Sequence, residues 1–88
     1  MDVEERIKRT IEHKKLSYHD LAMRSGIAAQ RWNNSLNKRT KIRWEEIDAI
    51  CKIFPEYEYW ITREKTAPEI GQISPETEKI TDDYRKQG

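Results

Sequence analysis

Residues 16–37, LSYHDLAMRSGIAAQRWNNSLN, leave this chain less freedom than any other stretch. They read as a short helix, a glycine turn and a second short helix. Ser17 caps the first helix, and Asp20, three residues on, reaches back to the cap's own amide. Gly26 supplies the left-handed conformation that ends this helix, which is expected over about 18–24. Leu21 and Ala22 face inward, and Ala22 is small enough for another helix to cross closely above it. After Ile27 the spacing predicts a helix over about 28–36 with Trp32 and Leu36 inward. Gln30, Arg31, Asn33 and Asn34 are left on its other faces.

The rest of the chain supplies helices to pack around this pair. Asp2 caps a first helix to about residue 15, in which Val3, Ile7 and Ile11 recur every four positions. Trp44, Ile47, Ile50, Cys51 and Phe54 predict a helix over 44–54, with Glu45, Glu46 and Asp48 at its positive end. Pro55 stops it and opens a fifth helix over about 55–62, whose narrow apolar face is Tyr57, Trp60 and Ile61. Residues 66–74 carry no helical period. Ser74-Pro75-Glu76 then looks like a cap, a first-turn proline and an acid, opening a sixth helix to about 85. Its stripe, Ile80 and Tyr84, is too thin to stand alone. The expected fold is all-α: a compact five-helix domain over 1–65, with 66–88 as an extension that dimerises or stays flexible.

Composition narrows the function classes. Eighty-eight residues make one small domain. The single cysteine, Cys51, excludes an internal disulfide framework and a cysteine-based zinc site, and a core role fits its inward position. His13 and His19 have no cysteine near them, so no metal is expected. No apolar run reaches membrane-spanning length, and the acidic N-terminus lacks the order of a signal peptide. A reducing, cytoplasmic location is expected. Adjacent acids such as Glu45 and Glu46 diverge on a helix, and no nucleophile or phosphate-cradling glycine loop accompanies them. An enzyme and a cofactor are therefore not expected.

Charge is segregated along the chain. The formal net charge is +1, yet residues 13–43 carry +7 and residues 44–83 carry −7. A basic field flanks the amide-bearing helix. A helix about 10–12 Å across fits a major groove of about 12 Å. Asn and Gln donate and accept at once, so they can pair bidentately with adenine. Basic residues 38–43 need only charge and reach to hold phosphates.

The Leu16-Ser17 entry, Leu21-Ala22, Gly26-Ile27, Trp32, Asn37 and the following helix through Phe54 resemble the lambda-repressor-like, or Xre/Cro, helix-turn-helix family. The resemblance covers roughly residues 5–62. The segment FPEYEYWITREKTAPEIGQISPE looks like the tail of short phage and mobile-element regulators of that family. The resemblance implies a five-helix domain, usually dimeric, that binds a palindromic operator and represses transcription. By position it puts Ala29, Gln30, Asn33 and Asn34 against base edges. It puts Tyr18, Arg31, Asn37, Lys38, Arg39, Lys41 and Arg43 near phosphates, with backbone amides helping around Asn37. Several positions depart from the family pattern, among them Ala29, which cannot hydrogen-bond a base though its methyl could pack on thymine. Lys38 replaces a common glycine, so either the loop turns differently or Asn37 takes the left-handed conformation. Ala28 replaces a Ser/Thr cap, and Ser35 fills a normally apolar slot.

Trp32, Trp44 and Trp60 sit on apolar stripes and are expected in the core or a dimer contact rather than as stacking platforms for bases. Tyr57, Trp60, Ile61, Ile73, Ile80 and Tyr84 form more apolar surface than a small monomer should expose. Either the tail folds back over the fifth helix, or these residues meet their copies in a homodimer; the dimer is the favoured expectation. Two other readings remain open. One is an antitoxin-like module binding a protein partner through residues 57–84. The other is a nonspecific architectural DNA binder, which the modest total charge disfavours.

Overall fold

Among the described residues the apolar stripes close onto a single core, with Trp44 left outside it. The structure, a computed structural model, describes residues 1–78. Five α-helices follow in order: α1 Val3–His13, α2 Tyr18–Ser25, α3 Ala29–Leu36, α4 Trp44–Ile53 and α5 Glu58–Arg63. Short 3-10 turns lie at Pro55–Tyr57 and Pro68–Ile70, and Ala67 pairs with Gln72 in an isolated antiparallel bridge. Among the described residues no helix is long and apolar enough to cross a membrane.

Helix starts and ends follow local chemistry. Asp2 accepts from the Glu5 amide at 2.9 Å and begins α1. At the other end of α1, Lys15 is left-handed (φ +58), and the amides of Lys15 and Leu16 return to the carbonyls of Glu12 and Ile11. The helix expected over 55–62 is divided. Pro55 opens a tighter 3-10 turn, and α-helical geometry resumes only at Glu58.

Packing explains the helix order. α1 lies against α3 and α5, α2 lies against α3 and α4, and α4 and α5 meet around the Pro55–Tyr57 turn. Ile7, Leu21, Trp32, Ile50, Tyr57 and Ile61 are fully buried between them. Each such apolar side chain contributes about 1.5–3 kcal/mol over its exposed state. Arg6 is also buried. Its Nε donates to the Ile61 carbonyl at 2.8 Å, so α1 caps the last turn of α5. Cys51 lies in the core, where burial, helped by Glu58 and Asp48, pushes its thiol pKa up to about 11. That keeps it protonated and unreactive at neutral pH.

The expectation that Tyr57, Trp60 and Ile61 form a face for a second subunit is corrected. All three are core residues of the protomer. The extension covers them by folding back, as far as it is described. The Ile73 amide donates to the Glu56 carbonyl at 2.8 Å, and Ile73 packs on the core. Gln72 accepts from the Tyr59 amide and donates to the Pro55 carbonyl, both at 3.0 Å. Ser74 caps a helical turn at 75–78, accepting from the Thr77 amide at 3.2 Å. Acids on that turn then reach α1. Glu76 pairs with Arg9 at 3.1 Å, and Glu78 meets Lys14 at 3.1 Å, His13 at 3.3 Å and the Tyr57 hydroxyl. Ile80, Tyr84 and the rest of the expected sixth helix lie outside the described residues.

Candidate nucleic-acid interface

The interface begins with the turn between α2 and α3. Ser17 and Asp20 exchange both bonds of a capping box, at 3.0 and 2.9 Å. Gly26 ends α2 at φ +76, where a side chain would be strained. Ser25, just before it, fastens the two helices together. Its hydroxyl donates to the Leu21 carbonyl at 2.6 Å and accepts from the Ile27 amide at 3.1 Å and the Trp32 indole Nε1 at 3.0 Å. One donor and two acceptors are all that a serine hydroxyl offers, and all are used.

α3 turns Trp32, Ser35 and Leu36 into the core. Ser35 fits the normally apolar slot because its hydroxyl lies 3.5 Å from that of Thr40, while Leu36 fills the space beside it. Ala28 supplies no side-chain bond to the start of the helix. On the outer face Gln30 is exposed, while Ala29, Asn33 and Asn34 are half-buried. The Gln30 amide donates to Asn34 Oδ1 at 3.1 Å, so the two amides stand as one pair, one turn apart.

Asn37 organises the end of the rod. Its Nδ2 donates to the Asn33 carbonyl at 2.9 Å, to Asn33 Oδ1 at 2.8 Å and to the Tyr18 hydroxyl at 3.2 Å. Its Oδ1 accepts from Lys8 Nζ at 3.2 Å. Of the two conformations left open for this loop, neither occurs as expected. Asn37 stays at φ −99, and Lys38 itself is left-handed at φ +61. The amides of Lys38, Arg39 and Thr40 return to the carbonyls of Ser35 and Asn34, and that of Asn37 returns to Asn33. These amides close the helix and do not point at a ligand, which corrects the expectation that they grip phosphates.

The basic residues separate into two groups. Lys38 pairs with Asp2 and lies 3.6 Å from Glu5. The Lys38 hydrogen bond, with the Glu5 amide, holds the Asp2 carboxyl below the usual carboxylate range, and Asp2 raises Lys38 in return. Arg31 turns to the start of α4, 3.0 Å from Glu45 and 3.6 Å from the fully buried Glu46. Glu46 also accepts from the Arg43 amide at 3.2 Å, which fixes the end of the basic loop. Arg31 and Lys38, both expected at phosphates, thus already have acid partners. Arg39, Lys41 and Arg43 are exposed and make no ion pair among the described residues.

Sequence reasoning missed Ser25 and Lys8. A serine four residues after Leu21 and next to a glycine is a back-bonding position, so Ser25 left a signal. Lys8 belongs to an N-terminal block of net −1, and only the approach of α1 to α3 brings it to Asn37. Among the described residues no group of three His, Cys, Asp or Glu could hold a metal.

Comparison with curated proteins gives no match. Among solved structures the chain is similar to Pf6r from the filamentous phage Pf6 of Pseudomonas aeruginosa PA01. The TM-score is 0.77 and the identity 26%, over 88% of this chain and 99% of that one. The model of the Cro/C1-type HTH DNA-binding domain matches residues 6–55, which include the paired helices, the basic loop and α4. Capped helix, glycine turn, amide-bearing rod and basic rim all fall within that match, and the chain belongs to the Cro/C1-type helix-turn-helix family of DNA-binding regulators.

Proposed function

We propose that this regulator is a dimeric repressor of a phage or mobile-element operator, with α3 entering the major groove at each half of a palindromic site. Gln30, Asn33 and Asn34 read base edges, and the Ala29 methyl packs on a thymine methyl. Arg39, Lys41 and Arg43 hold phosphates, with Lys8 beside them. Tyr18 and Asn37 brace the end of the rod. Arg31 and Lys38 serve mainly to fix the helices that carry the interface.

The hydrogen-bonded Gln30–Asn34 pair on the outer face of α3 carries this reading. With that bond made, Gln30 Oε1 and the Asn34 amide hydrogens stay open to a base. The antitoxin-like alternative draws on residues 57–84, of which Tyr57, Trp60 and Ile61 are buried within the protomer.

Footprinting on the region beside its own gene tests the proposal. Two symmetric protected half-sites, about 34 Å or a multiple apart, are expected. Equal affinity for that region and for random duplex at physiological salt would refute sequence-specific repression and leave an architectural binder.

A further inference from the structure

Glu45 and Glu46 are neighbours in the first turn of α4, and the fold treats them in opposite ways. Side chains one residue apart on a helix diverge by about 100°. Glu45 points to solvent, with 68% of its side chain exposed, while Glu46 turns inward one helical turn before Ile50 and is fully buried. Taking a carboxyl out of water can cost more than its ion pair returns. Here the return is also incomplete. Glu46 Oε1 accepts from the Arg43 amide and lies 3.6 Å from Arg31 Nε, but neither Glu46 Oε2 nor Arg31 Nε has a hydrogen-bond partner among the described residues. A leucine of similar size would fill the same space without that cost, so stability does not account for the acid.

Its position says what it does. Packing seats α3 on α1 and α2. Toward α4 there is a cleft of about 350 Å³, whose walls include Gln30 and Asn34 of the outer face of α3 and Arg43 of the basic loop. Arg31 and Glu46 line the same cleft. Arg31 stands three residues before Asn34, and so about 60° round the helix from it. Its Nη2 reaches the exposed Glu45 at 3.0 Å, and its Nε faces the buried Glu46. Water dilutes the outer pair, which holds little, whereas the buried one keeps its strength. Glu46 thus touches both halves of the interface, α3 through Arg31 and the basic loop through the Arg43 amide.

We propose that Glu46 is a positioning residue for base reading, which holds the amides of α3 in register with the phosphate-facing Arg43. The inference rests on the base-reading part of the function proposed above. Hydrogen bonds to base edges tolerate a displacement of only about 0.5 Å, whereas phosphate contacts need little more than charge and reach. Without Glu46, Arg31 keeps only its solvent-exposed partner and α3 gains play against the loop. Base contacts then suffer while phosphate contacts persist. A group that costs stability is kept where it sharpens recognition.

Fluorescence anisotropy of the full chain on the footprinted duplex and on random duplex tests this with E46L, E46Q and R31M. E46L should unfold in urea at no lower concentration than the parent. It should lose roughly tenfold on the footprinted duplex and stay within about twofold on random duplex. The salt dependence should not change on either, because no phosphate contact is removed. E46Q keeps an acceptor for the Arg43 amide but no charge for Arg31, and should lose roughly threefold on the footprinted duplex. In an R31M background E46L should cost no more than about twofold, since the acid acts through Arg31. NMR supplies a readout without DNA: in E46Q the Arg31 Nε–H signal should move and exchange faster with water, and the Asn34 side-chain amide signal should move with it. An E46L that keeps its preference for the footprinted duplex, an undiminished loss in the R31M background, or unmoved Arg31 and Asn34 signals overturn the assignment. An E46L chain that fails to fold refutes the cost in stability, and E46Q then decides the positioning alone. If the parent binds both duplexes alike, the base-reading function falls, while moved signals still uphold Glu46 as the anchor of α3.

Discussion

Replacing Ser25 by alanine removes one oxygen and should cost about 3 kcal/mol, because that oxygen joins three backbone and side-chain groups. The Leu21 carbonyl loses an extra donor, a small effect for a group already in a helix. The Ile27 amide, in the half-buried turn, loses its acceptor at 3.1 Å, worth about 1 kcal/mol. The Trp32 indole N–H is the costly one. Trp32 is fully buried, so its donor is stranded without water, at roughly 1–3 kcal/mol. For a domain of this size each kcal/mol lowers the melting temperature by about 4–8 °C, so a fall of roughly 12–24 °C is expected. Urea titration followed by far-UV circular dichroism measures the free energy directly. A cycle with Trp32→Phe isolates the stranded donor, since phenylalanine has no N–H to orphan. In that background the Ser25→Ala cost should shrink by about 1–2 kcal/mol. An equal cost in both backgrounds, or a single-variant cost below about 0.5 kcal/mol, would refute the reasoning.

Lys15→Gly should stabilise the fold by about 1 kcal/mol in the same titration, because the left-handed site at the end of α1 suits glycine. Lys38→Gly should gain less, since it also removes the pairing with Asp2 and Glu5. Asn34→Ala should weaken binding to the footprinted site by about 1–3 kcal/mol and hardly affect random duplex, as measured by fluorescence anisotropy. Arg39→Ala should weaken both, and reduce the slope of log affinity against log salt by about 0.9. Acid should release the extension. Burial alone would raise Glu78, but the Tyr57 and Lys14 hydrogen bonds outweigh it and hold the carboxyl below its ordinary range. A lowered carboxylate contributes stability above the ordinary glutamate range and loses it as pH falls through the lowered value. The Ile73 amide, followed by NMR, should lose its docked environment over that fall, and in Glu78→Gln the acid-dependent step should be absent.

Much of the interface was legible because its determinants are local. Ser17 and Asp20 form their capping box within four residues, Gly26 ends α2, and Asn37 sits one turn beyond Asn33. Each depends on neighbours along the chain, so spacing alone exposes it. The fifth helix was harder. Tyr57, Trp60 and Ile61 form a narrow stripe that periodicity marks as buried, but it cannot say against what. The partner proved to be the protomer itself, through Arg6 at one end of α5 and Gln72 and Ile73 beyond the other. Trp44 is the converse: its spacing matches the inward stripe, yet it sits in the first turn of α4, past the edge of the core.

Charge was the least legible property, for a reason that applies to any small helical domain. Acids favour helix starts because they complement the macrodipole, and here Asp2, Glu5, Glu45 and Glu46 occupy two such starts. Folding brings both starts against α3 and its loop, where Lys38 meets the first and Arg31 the second. A count along the chain assigns both bases to the +7 block, yet in space each is matched by acids from a block of opposite sign. The same packing adds Lys8, which the count places among acids. The field offered to a polyanion is therefore narrower than the sequence block, and is centred on Arg39, Lys41 and Arg43 beside the amide pair. That arrangement suits selectivity. Fewer free bases lower the affinity for any duplex, so under the proposed function discrimination would fall to Gln30 and Asn34.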